Sequence, residues 1–377
     1  AWPYYALEGW GERGRYVVDV RLYHDLYLEG NGRGDPYGQD PGGIVALNRT
    51  DNAYVSARYA LGTLFVGRMK RNWGPLGQGG LMVSDGGTSF AQAGLDVGGR
   101  HLLLRFFAGE LNQVSGKDRY MTANHVEYRR DRFAISIGEA NVFQSDVGWR
   151  LRDLNPVELS FFDHDLNPND GPSNGALDGS LWWQVGATTL RGEFFLDDID
   201  VGAHAGAAAP ARFALSGGIR NATLVPGVQL GLDYEAVAAW TYRTLYGTDQ
   251  WTIFGRGLGA NQSDFDRLTL SASLLPPIPG LRLTPIGQLQ RKGEGDIRLG
   301  MTAAEFNTGR TFFLGVREAT VRAALRGRYQ PTRHAYAEWD AGVSWVRNAD
   351  HVRGRKLTEL QGVGRVGLEW SIGHRAP

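Results

Sequence analysis

From Arg15 to Glu29 the chain alternates. Val18, Val20, Leu22, Leu26 and Leu28 fall on one face, and Asp19, Arg21, Tyr23, Asp25, Tyr27 and Glu29 on the other. A period of two marks an extended strand whose two faces meet different surroundings. The pattern returns along the whole chain. Leu102, Leu104 and Phe106 oppose His101 and Arg105; Leu190, Phe194 and Leu196 oppose Arg191, Glu193 and Asp197; Val228, Leu230 and Leu232 oppose Gln229 and Asp233. Near the end Val321, Ala323 and Leu325 oppose Arg322, Arg326 and Arg328, and Ala337, Trp339, Val343 and Trp345 oppose Glu338, Asp340 and Ser344. Segments of this kind, separated by turns, predict about 16–18 strands.

Alternation alone does not say which face is outside. A soluble sandwich or propeller would bury the apolar face, and a membrane barrel would turn it to lipid. Two features favour the membrane. Aromatic residues stand near strand ends (Tyr16, Tyr59, Trp339, Trp345), where interfacial girdles lie. The opposite faces carry both signs of charge, which a wet lumen tolerates and a dry core does not. The expected fold class is all-β: a transmembrane antiparallel β-barrel, occupying residues 1–377 as a single domain without a linker. One segment breaks the period. Asn155-Pro156-Val157-Glu158 places a cap, a proline and a glutamate as a helix start requires, predicting a short helix or turn near residues 155–164.

Composition narrows the function. Lys plus Arg is 40 and Asp plus Glu is 40, a balance that argues against nucleic acid as the partner. There are no cysteines, hence no disulfide framework and no thiolate metal site. The 53 glycines suit many short strands joined by tight turns. No cofactor or metal is expected. The acidic run from Asp163 to Asn174 has Pro168 and Asn174 where a calcium loop needs glycine and glutamate, and the eight histidines show no ligand spacing. Ser160, Asp163 and His164 are too close in sequence for a hydrolase triad, and no G-x-S-x-G elbow exists. An enzyme is not expected.

Two stretches are candidates for binding. In Gly67–Asp85, the basic residues Arg68, Lys70 and Arg71 lead to Trp73-Gly74-Pro75 and a glycine-rich turn. Such a loop either offers an aromatic platform and cations to a hydroxyl-rich, anionic ligand or serves as a structural turn. The second stretch is the row Arg322, Arg326 and Arg328. Three guanidinium groups on one strand face need carboxylates or an anion, and Glu338 and Asp340 on the next strand can supply them. The row is either a salt-bridge ladder or one half of a transverse field in a water-filled lumen.

G-R-x-x-x-x-W-G-P at Gly67–Pro75, with the turn at Ser84-Asp85, resembles the capsule-assembly outer-membrane barrel family called Wzi. Leu154-Asn155-Pro156, Gly192-Glu193-Phe194 with Asp197-Asp198, Asp233-Tyr234-Glu235 with Trp240-Thr241-Tyr242, and Gly257-Leu258-Gly259 with Asp264 and Arg267 are similar to further stretches of that family, in the same order. The resemblance covers roughly residues 60 to 290 and marks a distant member. It implies an outer-membrane barrel that binds surface or capsular polysaccharide and helps attach it to the cell. Arg68, Arg71, Trp73, Asp197, Asp198, Glu235, Tyr242, Asp264 and Arg267 match its motif positions. The expected partners are surface polysaccharide and outer-membrane lipid or lipopolysaccharide, with no nucleic acid. The alternative is a porin-like channel for small solutes.

Overall fold

The computed structural model describes residues 4–25, 49–75, 79–149, 152–156, 173–197, 211–245, 247–306 and 308–368. Its wall is an antiparallel sheet of seventeen strands. The first eight are β1 (Tyr4–Arg13), β2 (Tyr16–Asp25), β3 (Arg49–Tyr59), β4 (Gly62–Met69), β5 (Phe90–Gly98), β6 (Leu102–Glu110), β7 (Arg119–Arg130) and β8 (Phe133–Gln144). They continue through β9 (Ser173–Val185), β10 (Thr188–Asp197), β11 (Phe213–Val225) and β12 (Val228–Val237). A two-stranded hairpin, β13 (Thr252–Ile253) with β14 (Arg256–Gly257), stands apart from the wall. The wall resumes with β15 (Phe265–Leu274), β16 (Leu281–Lys292), β17 (Glu318–Thr332), β18 (Ala335–Arg347) and β19 (Lys356–Leu368). Each wall strand pairs with the next in the chain, so the topology is a simple up-and-down meander.

The alternation read from the sequence is the alternation of the wall. Leu64, Val66, Ile135, Ile137, Leu270 and Leu360 point outward and are exposed, whereas Phe65, Phe107, Met121 and Phe195 point inward and are buried. An apolar outer face this extensive is stable in lipid, where pairing between neighbouring strands satisfies the backbone groups along the wall. Among the described residues no helix is long and apolar enough to cross a membrane; the crossing elements are strands. Tyr16, Tyr59, Tyr128, Trp183 and Tyr329 form an exposed outer belt near one end of the strands. At the other end Phe194 stacks near Phe213, Phe213 meets Phe312, and Phe312 meets Phe313, a run of ring contacts at 5.8–6.2 Å.

The two ends differ. At one, neighbouring strands are joined by tight turns such as 60–61, 131–132, 186–187 and 226–227, with Gly186 (φ 58°) and Gly227 (φ 74°) in the left-handed conformation. At the other run the long connections 70–89, 238–264 and 293–317. In outer-membrane barrels short turns face the periplasm and long loops the exterior, which orients the molecule. The helical element expected near 155–164 falls largely outside the described residues; what is described there is a single 3-10 turn at Arg152–Leu154. The acidic run 163–172 also lies outside them, and Asn174 is buried on β9.

Candidate functional site

These three connections do not project from the rim. They fold back into the lumen as a plug. Trp73, Leu81, Met82 and Val83 from the first pack with Tyr242, Trp251, Ile253 and Leu258 from the second, against the inward faces of Phe65, Phe107, Met121, Phe195 and Phe265. Backbone groups stitch the segments together. The Tyr242 hydroxyl donates to the Leu81 carbonyl at 2.6 Å, Trp251 Nε1 donates to the Met82 carbonyl at 2.8 Å, and the Ser84 amide donates to the Leu258 carbonyl at 2.8 Å. Gly259 is the point of closest approach: a Cβ there would lie 1.7 Å from the Leu81 carbonyl oxygen, so only glycine fits.

Buried charges tie the plug to the wall. The Arg119 guanidinium on β7 donates to the Thr252 carbonyl at 3.0 Å and also to the carbonyls of Thr248 and Gln250. Glu193 on β10 accepts the Leu81 amide. Asp264 is wholly buried and accepts the amides of Phe313, Gly295 and Leu314 at 2.5, 2.9 and 2.9 Å, fastening the third connection to the start of β15. Burial pushes the Asp264 carboxyl up from the ordinary carboxylate range, against the pull of those three donors. The Asp249 carboxyl is raised by the same desolvation, opposed chiefly by the Thr244 hydroxyl. Arg243 pairs with Glu305 at 3.1 Å, beside the short helix α1 (Ala303–Phe306).

Toward the short-turn end lies a cavity of about 1190 Å³. Its roof is plug, including Leu81, Ser84, Gly259 and Asn261, and its walls are the inward faces of β10–β12 and β15–β19. Eight arginines and four carboxylates line it. On one wall Arg191 and Arg220 share Asp233, at 2.5 and 3.2 Å, and Arg267 pairs with Glu235. On the other, Arg322 and Arg326 share Asp340, at 2.5 and 3.2 Å, and Arg328 pairs with Glu338 at 3.0 Å. Arg282 stands directly opposite Arg328 in the register, and Arg365 directly opposite Glu338. Among the described residues Arg282 has no carboxylate partner. Like charges facing each other across neighbouring strands destabilise the sheet unless an anion sits between them.

The residues singled out from the sequence therefore separate into two groups. Glu235, Arg267, Arg322, Arg326, Arg328, Glu338 and Asp340 line the cavity. Arg68, Arg71, Trp73, Asp197, Tyr242 and Asp264 hold the plug or its anchorage. Arg68 donates to the Ser89 carbonyl at 2.9 Å. Trp73 is only 4% exposed, between the rings of Phe107 and His125, each with its centroid 5.1 Å away, so it offers no face to a sugar. Arg71 lies over the Phe65 ring at 3.8 Å and pairs with Asp96, and burial lowers its pKa. It is not the exposed cation expected at a loop tip, because the loop tip is turned into the barrel. Asp197 accepts the Tyr242 amide, and both are fully buried. Asp198 lies outside the described residues. Both walls of the cavity carry both signs, so the arginine row is a salt-bridge ladder and not one half of a transverse field.

Sequence reasoning missed Arg191, Arg220, Asp233, Arg282 and Arg365 as site residues. The signal was present, since each occupies the polar parity of its strand. Arg119 had no such signal, because its partners are backbone carbonyls far away in sequence.

Among solved structures, Wzi of Escherichia coli, described as an outer-membrane protein involved in Group 1 capsule assembly and a carbohydrate-binding β-barrel, superposes over 98% of this chain and 79% of its own. The TM-score is 0.65 and the identity 11%. The fold is that of an outer-membrane β-barrel. Two Pseudomonas aeruginosa proteins share it. OccD3 matches at TM-score 0.52 and 12% identity over 96% of this chain and 85% of its own. OccK10 matches at 0.51 and 12% over 98% and 92%. No protein-family model matches the sequence, and no curated protein does.

Proposed function

We propose that this outer-membrane barrel binds an acidic surface polysaccharide in its arginine-rich lumen and helps hold it at the cell. The observation that carries the reading is the cavity beneath the plug, where eight arginines face four carboxylates. An excess of guanidinium groups in a shaped, partly desolvated lumen suits the carboxylates of a uronate-bearing chain, which each arginine can bind through two parallel hydrogen bonds. Serine, threonine and glutamine side chains between the charges, such as Ser271, Thr284 and Gln288, suit sugar hydroxyls. Wzi, which shares the fold, is described as carbohydrate-binding, and that supports the same class of ligand here. The plug favours binding over transport, because a packed core fills the lumen against β4–β12 and β15. The barrel acts as a receptor, with no reaction assigned to it.

The test is retention of uronate-containing and neutral polysaccharides by the purified barrel in detergent. The acidic chain should be retained, and retention should fall as salt rises, because ions screen exposed pairs. Arg282→Gln with Arg365→Gln should weaken retention without changing heat-modifiability on gels. Equal retention of neutral and acidic chains, or a steady open conductance in planar bilayers with no glycan retained, would support the channel reading instead.

A further inference from the structure

The outward rows of four consecutive strands end on cations, and only at the loop side. On β16 the outward row Leu283, Pro285, Gly287 and Leu289 ends at Arg291. On β17 the row Leu325, Ala323, Val321 and Ala319 leads to Arg317, just before the strand. On β18, Val343 and Trp345 are followed by Arg347, and on β19, Leu360 and Thr358 are followed by Lys356. The other ends of these rows are Leu281, Tyr329, Ala335 and Leu368, none of them charged. The cations therefore cap an apolar, lipid-facing band at the end with long connections, which is the exterior leaflet.

Register brings these groups together. Arg291, Ala319, Arg347 and Lys356 form one continuous row of cross-strand neighbours. With strands about 4.8 Å apart, that row spans roughly 15 Å. Arg347 and Lys356 face each other directly, both exposed, and neither has a carboxylate partner among the described residues. Arg291 and Arg317 both lie against the Phe313 ring, at 5.1 and 5.7 Å from its centre. Asp266 pairs with Arg291 and is the acid of the group. Two opposed cations beside two more, at the boundary of a hydrocarbon layer, leave a charge that water alone screens poorly and an anion anchored in the same layer neutralises.

We propose that the loop-side ends of β16–β19 form a docking site for the phosphorylated headgroup of an outer-leaflet glycolipid, held by Arg291, Arg317, Arg347 and Lys356. Phosphate oxygens take the forks of Arg317 and Arg347 and the lysine ammonium, with Arg291 adding its charge beside Asp266, while the acyl chains lie along Leu289, Val321, Trp345 and Leu360. This site is on the outside of the barrel and does not depend on what the lumen binds.

The experiment is native mass spectrometry of the detergent-purified barrel titrated with lipid A. The probes are the bisphosphorylated form and the same lipid with both phosphates removed. Wild-type protein should bind the bisphosphorylated form about tenfold or more tightly than the dephosphorylated one. Arg347→Gln with Lys356→Gln should lose a similar factor for the phosphorylated lipid, while Arg333→Gln at the turn end of the same strand pair should change nothing. Millimolar inorganic phosphate should fail to displace the lipid, which separates a headgroup site from a free-phosphate site. Gel heat-modifiability reports whether the double variant has folded; if it has not, the two lipids compared on wild-type protein still decide. Equal binding of the two lipids, an unchanged affinity in the folded double variant, or displacement by inorganic phosphate would overturn the proposal.

Discussion

Replacing Asp264 with alanine removes the buried carboxylate that fastens the third connection to the start of β15. Three backbone amides donate to it, from Phe313, Gly295 and Leu314, at 2.5–2.9 Å. An amide bonded to a charged acceptor contributes about 1.5–3 kcal/mol, and three sharing one acceptor contribute less than their sum, so a local loss of about 4 kcal/mol is expected. The wall ladders do not involve this side chain, and the barrel should still form. The readout is amide hydrogen exchange in detergent over 293–297 and 311–316. A loss of about 4 kcal/mol is close to a thousandfold faster exchange there, with the wall strands unchanged. Asp264→Asn keeps one acceptor oxygen and should fall between. Unaltered protection in the alanine variant would refute the claim that this carboxylate holds the plug.

Acidification should not loosen the same segment. The folded Asp264 carboxyl titrates above its unfolded value, so the pH-linked part of its contribution is full below the unfolded pKa and is lost as pH rises through the raised folded one, while its amide bonds persist in either state. Protection over 311–316, corrected for intrinsic exchange, should therefore be no lower at pH 5 than at pH 7.5. Arg326→Leu should change unfolding free energy by less than about 1 kcal/mol, since its side chain is 63% exposed and Asp340 keeps Arg322. Denaturant titration of the refolded barrel measures this, and a collapse in folding would contradict a wet lumen. Trp73→Ala should cost about 3–5 kcal/mol of local plug stability, because the ring fills a site between Phe107 and His125. Exchange over the 79–89 connection reports it, and an unaffected connection would mean that the ring is not what holds it.

The wall was legible in the sequence because a two-residue period writes each face separately. Val55 opposite Ser56, or Val321 opposite Arg322, gives the outward and inward sides without knowledge of any partner. The plug was not legible. Trp73, Tyr242 and Trp251 meet through contacts spanning more than 150 residues, as in the bond from Tyr242 to Leu81, and no local period encodes such a meeting. The glycine-rich stretch around Gly79 and Gly80 looks alike whether it faces solvent or folds inward, so Arg71 read as a loop-tip cation. The cavity was legible in part. Arg322, Arg326 and Arg328 stand out because they share one strand, whereas Arg191 and Asp233 meet only across the intervening β11, and Arg365 joins them only when the sheet curls.

Among the described residues the plug consists of three connections, each continuous at both ends with strands of the wall. These segments have no free end, so they cannot leave as a cork leaves a bottle. Clearing the lumen would require each segment to peel back through the loop-side mouth separately, breaking the bonds at Leu81, Met82 and Asp264 in turn. A single protease cut within 79–89 would leave two segments still moored. The stopper is thus a permanent fitting of the barrel, and a ligand in the cavity below it meets a fixed roof.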